Sequence, residues 1–148
     1  MTAHLRQTIG FAVVAVALVT SACSGNVFSL AVGDCFDDWE GALSDATSEV
    51  TDVDRVDCDD PHDNEVYAVV AMDDGSFPGD AAVQSEVIEV CSVRFDTFVG
   101  IPYEDSRLDF GALFPLAESW SAGDRDITCF VYDIEFLKLT GTMRNAQI

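Results

Sequence analysis

Residues 78–102 have the sequence PGDAAVQSEVIEVCSVRFDTFVGIP, and this stretch decides the fold because it contains the clearest helix of the chain. Pro78 suits the first turn of a helix, and Asp80 is placed to accept backbone N–H groups there. Gly100 and Pro102 end the pattern. Apolar residues between these signals recur at intervals of three and four, which places them on one helix face. They are Val87, Cys91, Phe95 and Phe98, with Ile88 beside them.

Strands are predicted on both sides of this helix. Residues 65–72 place apolar side chains on both faces of a strand, which indicates a central strand buried on both sides. Residues 127–133 alternate, with Ile127, Cys129 and Val131 on one face. We further predict strands at 31–36 and 136–139, a short helix at 115–122 containing Trp120, and an acidic loop at 37–57 that reaches the core through Trp39 and Leu43. The sequence therefore predicts an α+β fold: a mostly antiparallel sheet with one long packed helix and a second short helix.

The composition limits the class of partner. The chain has 148 residues, with 27 acidic and 7 basic side chains and a formal net charge of −20. A surface of this charge repels nucleic acid, so we expect no nucleic-acid partner. Residues 31–148 are long enough for a single domain with a hydrophobic core.

The N-terminus predicts an exported lipoprotein. Residues 18–23 are LVTSAC, and they follow an apolar run at 9–19 that is shorter than the ~20 residues of a membrane-spanning helix. This pattern indicates a lipoprotein signal peptide at 1–22, with Cys23 acylated, for example with palmitate, and a tether at 23–30. The expected location is the outer face of a bacterial cell membrane, with the membrane contacted through the lipid. An uncleaved anchor helix, or signal cleavage without a lipid, remains an alternative.

The remaining cysteines predict two disulfide bonds. Cys35, Cys58, Cys91 and Cys129 are an even number in a chain expected to be exported. Cys91 lies on the apolar helix face and Cys129 on the apolar strand face, so both point into one core and a bridge is feasible. A Cys35–Cys58 bond would close the polar stretch between them. We therefore predict the pairs Cys35–Cys58 and Cys91–Cys129.

Three features of the sequence are candidate functional sites. Residues 52–65 carry seven carboxylates around His62, but they lack the spacing of a calcium loop, so we expect a solvated acidic loop here in preference to a calcium site. His62 is a weak candidate for a general base or a ligand contact, since no nucleophile motif accompanies it; its ring would otherwise bond a loop carbonyl. Arg125 is a weak candidate for binding a carboxylate or phosphate, or else it pairs with a nearby Asp and fixes a turn.

No cofactor and no metal site is predicted. The chain has no C-x-x-C motif, and His62 is the one histidine after the expected signal peptide. No catalytic residue is predicted either.

Several motifs together resemble a known family. They are V-G-D-C at 32–35, C-x2-P-H at 58–62, E-V-Y-A at 65–68 and W-x2-G-D-R at 120–125. In this order they resemble the actinobacterial septum formation domain family, which has lipoprotein forms, over residues 31–142. The resemblance implies a link to cell division, and it supports the lipoprotein interpretation and the pairing of four cysteines. It implies no activity, cofactor or catalytic residue. Residues 138–144 depart from the family's Gly/Ser-rich closing strand.

The function expected from these observations is that of a lipid-anchored, non-enzymatic cell-envelope interaction module, associated with septum formation or cell division. Its protein partner would be an envelope or division protein that the sequence does not identify. Two alternatives stay open: a small-ligand or ion-binding surface lipoprotein, and a hydrolase that uses His62.

Overall fold

A computed structural model describes residues 24–38 and 50–148, and these residues form an α+β domain, as predicted. Six strands make one sheet in the order β1–β3–β2–β4–β6–β5, and each pair is antiparallel. The strands are β1 (Ser24–Asn26), β2 (Cys35–Asp37), β3 (Asp52–Val56), β4 (Asn64–Ala71), β5 (Leu108–Leu113) and β6 (Asp126–Asp133). The helices are α1 (Asp80–Val99) and α2 (Ala117–Ser121), with single 3₁₀ turns at Val27–Ser29 and Tyr103–Asp105.

No helix within residues 24–38 and 50–148 has the length and apolarity needed to cross a membrane. The expected signal peptide, Cys23, Trp39 and Leu43 lie outside the described residues.

Helix α1 packs its apolar face on the sheet, as its sequence period predicts. Its buried side chains are Val83, Val90, Cys91, Phe95, Phe98 and Val99. Ile88 does not belong to this face and is 64% exposed. Successive side chains of a helix point about 100° apart, so Ile88 points away from the face on which Val87 is half-buried. The helix begins after Gly79, which has no side chain to cap it, and Asp80 lies in its first turn. Gly100 ends it in the left-handed conformation that glycine adopts without strain (φ 88°).

The centre of the sheet is buried on both faces. Strand β4 lies between β2 and β6, and its first five residues are buried. On one face α1 covers Ile127, Cys129 and Val131, all fully buried. On the other face Phe130 packs edge-on against Phe36, with ring centroids 5.4 Å apart. The prediction of a central strand near 65–72 is therefore confirmed.

Other sequence predictions need correction. The strand expected at 31–36 begins only at Cys35, because the Asp34 carboxylate accepts the Ala31 N–H (2.8 Å) and closes a turn. No strand forms at 136–139, where Phe136 has a φ of 56° and Leu139 makes only an isolated bridge to His62.

Three strands were not foreseen. Residues 24–30, expected to be a tether, include β1, which pairs with β3. Strand β3 lies inside the expected acidic loop, and of its residues only Val53 is fully buried. Strand β5 was not predicted, because Gly111 interrupts its apolar pattern. A Cβ on Gly111 would lie 2.5 Å from the Phe130 ring, so the absence of a side chain there lets that ring cross β5.

Both predicted disulfides are present. The Cys35–Cys58 pair has a Cα–Cα distance of 5.2 Å, and the Cys91–Cys129 pair has one of 5.7 Å. Cys91 and Cys129 are fully buried between α1 and β6, whereas Cys58 is half-exposed.

Residues 139–148, here called the C-terminal segment, join the end of α1 to the sheet. Leu139 exchanges two backbone hydrogen bonds with His62, at 3.0 and 2.7 Å. Further along, the Asn145 N–H donates to the Phe98 carbonyl (2.7 Å) and the Gln147 N–H to that of Val99 (3.0 Å). The segment is therefore an integral part of the domain.

Candidate functional site

A cluster of three buried side chains and one half-exposed cysteine lies where β2 meets β4. It consists of Cys35, Cys58, His62 and Glu65, and we call it the β2–β4 cluster. Cys35 pairs with Glu65 across the two strands, which puts the two side chains side by side. One ring nitrogen of His62, the Cys35 Sγ and one Glu65 carboxylate oxygen lie within 4.8 Å of one another. His62 and Glu65 are at most 1% exposed.

The ring of His62 is held by the loop that precedes it. Its Nδ1 lies 2.8 Å from the Asp60 carbonyl oxygen, a distance at which an Nδ1–H donates a hydrogen bond. The expectation that the imidazole bonds a loop carbonyl is thus met. Its Nε2 is buried and has no hydrogen-bond partner among the described residues.

The Glu65 carboxyl group holds the C-terminal segment. Its Oε1 accepts a hydrogen bond from the Thr142 hydroxyl (2.6 Å), and its Oε2 accepts one from the Met143 N–H (2.5 Å). Both are short hydrogen bonds to a buried acceptor, and such bonds stabilise strongly when the acceptor is charged. Glu65 therefore fixes the position of the C-terminal segment beside the cluster.

The acidic run at 52–65 does not gather its carboxylates into a calcium-like site within the part of the chain that the structure describes. Of its side chains only Glu65 and His62 belong to a group of three possible metal ligands. Asp63 is turned toward Lys138, which binds it at 2.8 Å and binds Asp37 at 2.7 Å. Burial lowers the pKa of Lys138, but the hydrogen bonds and charges of Asp37 and Asp63 raise it by a larger amount, so the net shift is upward. The charged ammonium group of Lys138 is therefore held in these two ion pairs.

Arg125 has a structural environment. Its Nη1 donates to the carbonyl oxygens of Trp120 (2.8 Å) and Asp124 (2.6 Å), and its guanidinium lies 3.9 Å from the centroid of the Trp120 ring. Its Nε lies 3.5 Å from a carboxylate oxygen of Asp74. These contacts fix the turn into β6, which is the structural alternative considered for this residue. A pocket of about 350 Å³, lined by residues 119 and 122–126, opens beside it.

The tyrosines near β5 surround one carboxylate. The Tyr103 hydroxyl donates to the Asp109 Oδ1 (2.7 Å) and the Tyr132 hydroxyl to the Oδ2 (3.3 Å). Burial, reinforced by Asp109, raises the pKa of Tyr132 to about 12. The pKa of Tyr103 is raised as well, first by its hydrogen bond to Asp109. Both phenols therefore stay protonated at neutral pH, as hydrogen-bond donors.

Residues 134–137, here called the apolar loop, expose hydrophobic side chains in a fixed conformation. Ile134, Phe136 and Leu137 are 53%, 60% and 53% exposed. The buried Asp133 holds the loop, since its Oδ1 accepts the Glu135 N–H (2.8 Å) and its carbonyl accepts the Phe136 N–H (2.8 Å). The Phe136 ring stacks on Tyr132 with an interplanar angle of 10° and a centroid distance of 5.9 Å. The loop is thus an exposed apolar surface held by hydrogen bonds to Asp133.

Sequence reasoning missed Glu65 and Phe136 as candidates. Glu65 is the first residue of a predicted strand that is otherwise apolar, and a charged residue next to such a strand was the available signal of a buried polar role. No signal marked Phe136, because the sequence at 136–139 predicted a strand and contains no residue pattern that indicates a positive φ.

The fold and these contacts define a disulfide-bonded α+β domain whose C-terminal segment is held by a buried carboxyl group. The family model described as septum formation matches residues 32–147, so the chain belongs to the septum formation family. This membership links it to septum formation or cell division. No curated protein and no solved structure matches it.

Proposed function

We propose that the protein is a non-enzymatic interaction module of the cell envelope, held on the outer face of the membrane by a lipid on Cys23, and that it acts in septum formation by binding a partner protein through the apolar loop. Family membership supports the septal part of the proposal. The sequence of the N-terminus supports the lipid anchor.

The conformation of Phe136 is the observation that carries the proposal. A φ of 56° is unfavourable for a residue with a Cβ, and holding a non-glycine residue in this region costs about 1–3 kcal/mol. The ring is 60% exposed, so core burial does not offset that strain. Strained residues in proteins cluster at functional sites. An aromatic side chain that is strained, exposed and stacked on a neighbouring ring is suited to anchor a partner.

Charge around the apolar loop indicates the chemistry of that partner. Glu135 is exposed within the loop, and the adjacent Lys138 is neutralised by Asp37 and Asp63. The whole chain carries a formal charge of −20. Complementary potentials guide association, so the expected partner segment combines apolar side chains with a positive charge.

The burial of His62 and the hydrogen bonds of Arg125 support a binding role for the protein over a hydrolytic one. His62 is fully buried, so a substrate would reach its ring only after a rearrangement of the residues around it. Arg125 is bonded to two carbonyl oxygens and stacked on Trp120.

Substituting Phe136 tests the apolar loop. We expect Phe136→Asn to change the free energy of unfolding by less than about 1 kcal/mol, because asparagine tolerates a positive φ and the lost stacking is a term of similar size. The same change is expected to abolish septal enrichment of a fluorescently tagged copy and to fail to restore division in a deletion strain. Val93→Asn is the matched control, since Val93 is 70% exposed on α1 and lies outside the apolar loop.

Two outcomes would contradict the proposal. One is normal septal enrichment and complementation by Phe136→Asn. The other is equal loss of both in Val93→Asn, which would show that any exposed apolar side chain matters and that the apolar loop is not the site.

Substituting Cys23 tests the anchor separately. Cys23→Ala is expected to yield a protein that no longer partitions into the detergent phase of a phase-separation assay, because the acyl chains supply the membrane affinity. Wild-type protein and Phe136→Asn, analysed in parallel, should partition fully. If the Cys23→Ala protein still partitions into detergent, the apolar segment at 9–19 is itself the anchor.

A further inference from the structure

We propose that the β2–β4 cluster, after reduction of its disulfide, binds a zinc-like divalent cation through Cys35, Cys58, His62 and Glu65. The disulfide form and the metal-bound form would then be two alternative states of one site. This inference is independent of the partner-binding function proposed above.

The placement of the four side chains supports the proposal. Atoms of Cys35, His62 and Glu65 already lie within 4.8 Å of one another, and Cys58 adds a second sulfur through the disulfide. Ligand atoms around a tetrahedral zinc ion are roughly 3.4–3.8 Å apart, given bond lengths of about 2.0–2.3 Å. A contraction of roughly 1 Å therefore brings the group to zinc-binding geometry.

The orientation of His62 is an independent indication of a ligand. A histidine that binds metal usually donates its other ring N–H to a carbonyl or carboxylate, which fixes the tautomer. The Nδ1 of His62 makes such a contact with the Asp60 carbonyl oxygen at 2.8 Å. That tautomer leaves a free electron pair on Nε2, which is buried and has no hydrogen-bond partner among the described residues. Buried polar atoms are rarely left unpaired.

The chemistry of the conversion balances. A dithiol reductant gives two electrons and two protons to the Cys35–Cys58 bond, so that the S–S bond breaks, two thiols form and the reductant becomes a disulfide. Metal binding then releases both thiol protons and leaves two thiolates, a neutral imidazole and a carboxylate around the ion. Two thiolates favour zinc over magnesium or calcium.

The two disulfides differ in accessibility. Cys58 is half-exposed, so a reductant can reach the Cys35–Cys58 bond from the side of the 57–61 turn. Cys91 and Cys129 are fully buried, and their bond should survive under native conditions.

The test uses the full-length chain with Cys23→Ala, which removes the fifth thiol. The protein is reduced with a phosphine under native conditions and desalted without oxygen. We expect Zn²⁺ to bind one per chain in native mass spectrometry, with displacement of two protons, and Co²⁺ to give thiolate-to-cobalt charge-transfer absorption. Zinc should also shift the ¹⁵N resonance of His62 Nε2, a readout that needs no substitution in the cluster. The oxidised protein should bind no Zn²⁺ and show none of these changes.

Variants separate the cluster from general thiol binding. His62→Gln is expected to weaken Zn²⁺ binding by at least about tenfold. Asp63→Asn is the matched control and should leave the affinity unchanged, because Asp63 faces Lys138 and lies outside the cluster. The proposal is overturned if the reduced protein binds no zinc, if it binds zinc while the His62 resonance stays in place, or if the oxidised protein binds equally well.

Discussion

Replacing Cys91 and Cys129 together with alanine is expected to lower the free energy of unfolding by about 4 kcal/mol. The two residues are separated by 38 positions, and this bond therefore restricts the unfolded chain more than the Cys35–Cys58 bond, whose separation is 23. Both sulfur atoms lie in the core between α1 and β6, so their removal also leaves empty volume. A loss of this size is a large part of the total stability of a typical domain.

Urea unfolding monitored by tryptophan fluorescence measures the effect. The double variant Cys35→Ala/Cys58→Ala is the control, and we expect it to lose only about 3 kcal/mol, because its loop is shorter. A larger loss in the Cys35/Cys58 variant than in the Cys91/Cys129 variant would contradict the assignment of the buried bond as the main covalent stabiliser.

Glu65→Ala is expected to lower the free energy of unfolding by about 3 kcal/mol, since it leaves two donors without their acceptor. The Met143 residue is 5% exposed, so its N–H would lose its partner in a site with little access to water. The Thr142 hydroxyl would lose its bond to the same carboxyl group. Because both donors lie in the C-terminal segment, the damage should begin there.

Hydrogen exchange locates that damage. Amides of Leu139, Met143 and Asn145 should lose protection in Glu65→Ala before those of β4 and β6 do. Glu65→Gln keeps one carbonyl oxygen as an acceptor and should retain more stability than the alanine variant. Uniform loss of protection across the sheet, with no earlier loss in the C-terminal segment, would show that Glu65 supports β4 directly.

Local patterns were sufficient for much of the fold. The spacing of Cys91, Phe95 and Phe98 predicted α1 and its buried face, and the alternation around Cys129 predicted β6. These two patterns together predicted the Cys91–Cys129 bond, because each places its cysteine on a face that is buried in the same core. A period in the sequence predicts an element well where that element is buried on one face.

The parts that were missed depend on tertiary contacts. The need for glycine at position 111 of β5 is evident only from the Phe130 ring that crosses it. Strand β3 has only one fully buried side chain, that of Val53, so its sequence lacks a clear apolar period. Phe136 takes its positive φ in a loop that Asp133 holds through two hydrogen bonds, which no local pattern encodes. The expected strand at 136–139 was wrong for this reason.

The candidate site was predicted only in part. His62 was singled out, and its contact with a loop carbonyl was foreseen. Its neighbours in the β2–β4 cluster were not, because Cys35 reaches it through strand pairing from a distant part of the chain. The acidic run at 52–65 was a candidate because of its composition. Its most buried carboxyl group is that of Glu65, which binds the C-terminal segment through Thr142 and Met143.

The pairing of β4 with β6 has a consequence for the order in which the domain folds. The centre of the sheet joins Glu65 to Val131 and Ala71 to Asp126, so it closes only after a long intervening chain has been synthesised. Helix α1 is local and forms faster than such distant pairs. During folding we therefore expect Cys91 to lie on a formed helix before β6 has brought Cys129 into contact with it. Until then the thiols of Cys35 and Cys58 can compete with Cys129 for the bond to Cys91. We expect early closure of the 35–58 bond to remove those competitors and so to favour the correct pairing of Cys91 with Cys129.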